Sequence, residues 1–126
     1  MKILLIEDIR IERKVIKRWL EELGSEVIEA SDGIEGISLY HDDSPDLVIT
    51  DIVMPKKEGI QTIIDLRKEF PDVKVFAISG AGKNAKEFLE LARHLGAIRK
   101  FLKPIDKRDL LDSVLELFPE TDLSQD

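Results

Sequence analysis

Apolar residues follow two alternating rhythms along this chain. Short apolar runs occupy Lys2–Ile6, Glu26–Ala30, Leu47–Asp51, Lys74–Ile78 and Ile98–Leu102. The run that ends in Asp51 is apolar at successive positions, the pattern of a strand buried on both faces of a parallel sheet. The last run is interrupted by Arg99 and Lys100, which predicts an edge strand. Between the runs the apolar spacing changes to three and four residues, as in a helix with one buried face. Ile11, Val15, Ile16, Trp19, Leu20 and Leu23 form such a stripe in a first helix over Ile9–Leu23, and Gly24 suits the position beyond its end.

The later helices carry recognisable punctuation. Ser31-Asp32-Gly33 supplies cap and turn chemistry for a second helix ending near Tyr40, with a loop over residues 41–46. Gly59 leads into a third helix with Ile60, Ile63, Ile64 and Arg67 on one stripe, closed by Phe70-Pro71. A fourth helix turns Ala85, Phe88, Leu89, Ala92 and Leu95 inward, and Asp106 caps a fifth carrying Leu110, Leu111, Val114, Leu115 and Phe118. Five strands alternating strictly with five helices predict an α/β fold, a parallel sheet with right-handed crossovers and helices on both faces. The length suits one domain, placed at residues 1–118, followed by a short polar tail or linker start at 119–126.

Composition narrows the function classes. The net charge of -7 argues against nucleic-acid or anionic-membrane binding by this chain, which needs a concentrated basic surface. With no cysteine, thiolate metal sites and thiol catalysis are excluded, and His41 and His94 stand far apart. No segment has membrane-spanning length, and the N-terminal apolar run is too short for a signal peptide, so a cytoplasmic location is expected.

The notable polar residues all fall at carboxyl ends of predicted strands, where open α/β sheets bind ligands. Glu7 and Asp8 follow the first strand, Asp51 ends the third, Ser79 the fourth, and Lys103 the fifth. Each alone has an ordinary explanation as turn or helix-terminus chemistry. Together, three carboxylates at neighbouring strand ends repel one another unless a cation joins them, and a hard divalent ion such as Mg²⁺ fits an oxygen-only set. Metal, ammonium and hydroxyl in one place suit a phosphoryl group, and the available nucleophile is a carboxylate.

The order Glu7-Asp8, Asp51-x-x-Met54-Pro55, Gly59, Ser79, Lys103-Pro104 resembles the response-regulator receiver domain of two-component signalling, the CheY-like family, over about residues 2–118. The resemblance implies a flavodoxin-like sheet of order 2-1-3-4-5. It implies Asp51 as acceptor of phosphate from a histidine kinase or histidine phosphotransfer protein. Mg²⁺ (or Mn²⁺) would be held by Glu7, Asp8, Asp51 and the Val53 carbonyl. Ser79 and Gly80 would meet the phosphoryl group, Lys103 would pair with it, and the bond before Pro104 would be cis. Such a domain is a signalling module rather than an enzyme, at most weakly self-phosphorylating from small donors and self-dephosphorylating. It would act on a downstream protein or a missing effector domain through the face made by strand four, helix four, strand five and helix five. A phosphorylation-dependent dimer is compatible with it.

Three features depart from the family pattern or add to it. Lys100 stands where most receivers have an aromatic switch residue, so an atypical switch acting by charge is expected. Val53 and Ala81 are apolar at positions flanking the path of hydrolytic water, so a slowly hydrolysing phosphoform is expected. Arg13, Lys14 and Lys17 make the first helix basic where receivers dock kinases, although a solvated charged face explains them equally well. Among other readings, a haloacid-dehalogenase-type phosphatase lacks its second Asp, since Val53 occupies that place. A flavodoxin would need a phosphate-cradling loop where Glu7-Asp8 stand. A receiver-like interaction module working without phosphorylation is the alternative kept.

Overall fold

The computed structural model describes residues 1–52, 59–80 and 84–119. Strands β1 (Lys2–Ile6), β2 (Glu26–Ala30), β3 (Leu47–Asp51), β4 (Val75–Ser79) and β5 (Arg99–Leu102) alternate with helices α1 (Arg10–Glu21), α2 (Gly33–Asp43), α3 (Gly59–Glu69), α4 (Ala85–His94) and α5 (Lys107–Leu117). All pairings are parallel and the strand order is β2-β1-β3-β4-β5, the flavodoxin-like order.

Alternation along the strands divides the core. Ile3 and Leu5 of β1, Leu47 and Ile49 of β3, Phe76 and Ile78 of β4 and Phe101 of β5 face α1 and α5, where Ile16, Leu20, Leu110 and Val114 meet them. Leu4, Ile6, Val48, Val75 and Ala77 face the other way, against Ile37 of α2, Ile63 and Leu66 of α3, and Leu89 and Ala92 of α4. Each large side chain so buried contributes roughly 1.5–3 kcal/mol. The sheet is therefore a stiff platform, and parity decides which strand-end side chains meet.

Local chemistry sets the helix limits. The Asp32 side chain caps α2 by accepting from the Glu35 N–H, and Asp106 caps α5 by accepting from Asp109. Gly24 and Gly96 take left-handed backbone beyond α1 and α4. α2 runs to Asp43 rather than ending near Tyr40, because Ser44 supplies a left-handed cap whose N–H returns to Tyr40 and Pro45 then blocks continuation. In α3 the buried stripe is Thr62, Ile63 and Leu66, with Ile64 turned outward. In α1 only the C-terminal part of the predicted stripe is covered: Ile16, Leu20 and Leu23 are buried while Ile11 and Val15 are exposed.

Gly59 begins α3 directly behind the end of β3, its N–H donating to the Ile52 carbonyl at 3.1 Å. A Cβ there would collide with the Asp51 carbonyl and the Ile52 backbone. At Gly80 the nearest atom to an added Cβ is the Lys103 Cδ at 3.9 Å. Gly59→Ala is therefore expected to lower unfolding free energy by about 1–3 kcal/mol, the usual penalty for overpacking. Gly80→Ala should stay within ~0.5 kcal/mol of wild type in the same urea titration.

Candidate functional site

Parity carries straight into the site. Glu7 extends the Ile3-Leu5 side of β1, Asp51 the Leu47-Ile49 side of β3, and Lys103 the Phe101 side of β5. The ladders continue past the strand ends, with the Glu7 N–H bonded to the Ala30 carbonyl and the Lys103 N–H to the Ser79 carbonyl. Three side chains from three strands thus emerge on one side of the sheet, under the first turn of α1.

The Lys103 ammonium joins them. Its Nζ lies 2.7 Å from Glu7 Oε1, 2.8 Å from Asp51 Oδ2 and 2.9 Å from Glu12 Oε2. Glu7 and Asp51 are almost wholly buried, at 1 % and 3 % exposure. Burial above all, helped by the charge of Asp51 and opposed by the hydrogen bond from Lys103, pushes the Glu7 carboxyl up to about 7. Burial of Lys103 favours its neutral amine, but the hydrogen bonds it donates to Asp51, Glu7 and Glu12 outweigh this and hold the ammonium above its usual range.

Asp8 completes the acidic set. Glu7, Asp8 and Asp51 each offer a carboxylate oxygen, and these oxygens lie within 4.8 Å of one another. Three hard oxygens without nitrogen or sulfur fit Mg²⁺ or Mn²⁺ rather than zinc or copper. Val53, expected to add a carbonyl, lies outside the described residues, as does Ala81.

The backbone of this corner is tied down from several sides. The buried Thr50 hydroxyl donates to the Asp51 carbonyl at 2.9 Å, and Arg13 Nη1 donates to the Glu7 carbonyl at 2.9 Å. Ser79 is buried at the end of β4 and its hydroxyl makes a long 3.4 Å bond to the Gly80 carbonyl. The Lys103–Pro104 peptide bond is cis.

Two acidic residues passed over in the sequence prove structural partners. Glu12 reaches Lys103 from α1; its only signal was an acid in a first helical turn next to Glu7-Asp8. Glu29 on β2 gathers the basic face of α1, with Arg13 Nε at 3.0 Å, Lys14 Nζ at 2.8 Å and Lys17 Nζ at 3.2 Å. Partial burial of Glu29 works against its charge, yet the bonds from Lys14, Arg13 and Lys17 prevail and hold its carboxyl near 2. Lys100 is exposed on β5 and paired with Glu90 of α4, which Arg93 also contacts at 3.2 Å.

Comparison with known proteins shows which family the chain belongs to. The family model for the response regulator receiver domain matches residues 3–115. The chain belongs to that family. It is 36 % identical over 121 residues to the probable C4-dicarboxylate response regulator DctR of Bacillus subtilis (strain 168), covering 94 % of this chain and 52 % of that one. It is 34 % identical to the chemotaxis protein CheY of Treponema pallidum (strain Nichols) over 116 residues, covering 90 % of this chain and 79 % of CheY. A crystal structure of a receiver domain protein from Clostridium thermocellum matches with a TM-score of 0.85 and 32 % identity, covering 94 % of each chain. This receiver spans about half the length of the first curated relatives it matches. Receiver domains are signalling domains, generally not enzymes, that bind Mg²⁺ in an acidic pocket and interact with histidine kinases or phosphotransfer proteins. No helix among the described residues is long and apolar enough to cross a membrane.

The buried Glu7 makes the metal-free receiver sensitive to pH. Between pH 4.5 and about 7 the folded state holds a proton that the unfolded state has lost, so stability falls as pH rises through this window. Urea unfolding in EDTA across the window should show this decline in wild type and its absence in Glu7→Gln.

Proposed function

We propose that Asp51 is the phosphoacceptor of this receiver, charged from the phosphohistidine of a histidine kinase or a histidine phosphotransfer protein. The observation that carries the reading is the Lys103 ammonium 2.8 Å from the buried Asp51 carboxylate, beside the Glu7-Asp8-Asp51 set. A carboxylate oxygen of Asp51 attacks phosphorus, the phosphorus–nitrogen bond breaks, and the imidazole leaves. Lys103 then turns from carboxylate to phosphoryl oxygens, where its charge stabilises what the transfer has brought in. The Ser79 hydroxyl and the backbone at Gly80 are suited to take a further phosphoryl oxygen. Mg²⁺ (or Mn²⁺) held by Glu7, Asp8, Asp51 and the Val53 carbonyl would supply the remaining charge neutralisation.

Docking of the phosphodonor falls to α1 in this reading, with its roles redistributed. Arg13 is committed to Glu29 and the Glu7 carbonyl, whereas Lys14 keeps about half its side chain exposed and Ile11 stands open beside it. Output falls to the face of α4, β5 and α5. There Lys100 takes the place of the aromatic switch, and any acidic group of a partner must compete with Glu90 for it. Arg99 is likewise engaged, 2.6 Å from Glu116 of α5.

Intact mass after incubation with acetyl phosphate tests the assignment. A single phosphoryl adduct is expected with Mg²⁺, none in EDTA and none in Asp51→Asn. After donor removal it should persist for minutes, in keeping with apolar Val53 and Ala81. An interaction module working without phosphorylation gives no adduct from acetyl phosphate or from a phosphohistidine donor.

A further inference from the structure

An ammonium has three N–H donors, and all three of Lys103 are spent: on Glu7, Asp51 and Glu12. To bind a phosphoryl oxygen, Lys103 must give one up. Two of these bonds go to members of the acidic cluster, so a cation bound there competes for Glu7 and Asp51 directly. Glu12 stands outside that cluster. Its bond to Lys103 is the one of the three that a cation in the cluster does not compete for directly.

Placement reinforces this hold. Glu12 lies in the first turn of α1, where the helix dipole favours a negative charge. Its side chain is 40 % exposed against 14 % for Lys103, so Glu12 tethers from the solvent side while Glu7 and Asp51 hold from below. The same carboxylate adds negative charge beside a site meant to receive a phosphoryl anion.

We propose that Glu12 is a positioning residue: it tethers the Lys103 ammonium on the α1 side of the cleft at rest and thereby weakens the receiver's affinity for a phosphoryl group. This rests on Asp51 as the phosphoacceptor. An ion pair of this exposure sets the scale of the effect at about two- to fivefold.

Glu12→Gln tests it, since the amide keeps the shape and removes the charge. Two readouts separate the possibilities. The first is the side-chain ammonium resonance of Lys103 in metal-free protein, assigned with Lys103→Arg. It should exchange with water faster in Glu12→Gln than in wild type. The second is the affinity for beryllofluoride, a phosphoryl mimic, in saturating Mg²⁺, followed by the Asp51 amide shift. It should be about two- to fivefold tighter in Glu12→Gln. An unchanged Lys103 resonance, or equal or weaker beryllofluoride binding by the variant, overturns the tether while leaving Asp51 as the acceptor. A wild-type protein that binds no beryllofluoride and accepts no phosphoryl group overturns the acceptor assignment, and the tether with it.

Discussion

The structure depends on one cation bridging three carboxylates. Glu7 and Asp51 are buried within reach of the same ammonium, so each carries both a desolvation penalty and the other's repulsion. Attraction between unit charges at these distances is several-fold stronger near protein than in bulk water, and it is the available compensation. The sheet order supplies it. β1 and β3 are neighbours, β4 and β5 follow, and the shared parity of Glu7, Asp51 and Lys103 turns all three toward α1. The aliphatic core, the cap at Asp32 and the close approach of Gly59 matter functionally because they hold those strand ends in register.

The same arrangement is poised for exchange. The three clustered carboxylates, two of them bonded to the Lys103 ammonium, offer the hard oxygen ligands a divalent cation takes. In the proposed reaction, a metal competing for Glu7 and Asp51 would free Lys103 for a phosphoryl group. Lys103 follows β5 directly and Lys100 lies within it. Lys100, held by Glu90, and Arg99, held by Glu116, tie that edge strand to α4 and α5. The charged contacts of that surface are exposed. Such contacts rearrange at little cost.

Much of this was legible in the sequence, for physical reasons. Strands buried on both faces leave uninterrupted apolar runs, so β1, β3 and β4 announce themselves, and a polar residue closing each run marks the functional edge. Partners contributed by helices leave no such mark. Glu12 and Glu29 look like solvated acids until the crossover brings α1 over Lys103 and beside β2. Ile11 and Val15 continue the spacing of Ile16 and Leu20, yet that part of the stripe remains exposed. Periodicity reports which residues share a face and says nothing of how far the opposing surface extends.

Lys103→Met tests most directly whether the ammonium is the counter-charge on which the site depends. Unfolding free energies would be measured by urea titration in EDTA and again in saturating Mg²⁺. Removing one partner from a buried charge set costs about 3–5 kcal/mol, and a loss of that order is expected in EDTA. Most of it should be recovered when Mg²⁺ takes over the carboxylates. An equal loss in both conditions, or none in EDTA, would contradict the account.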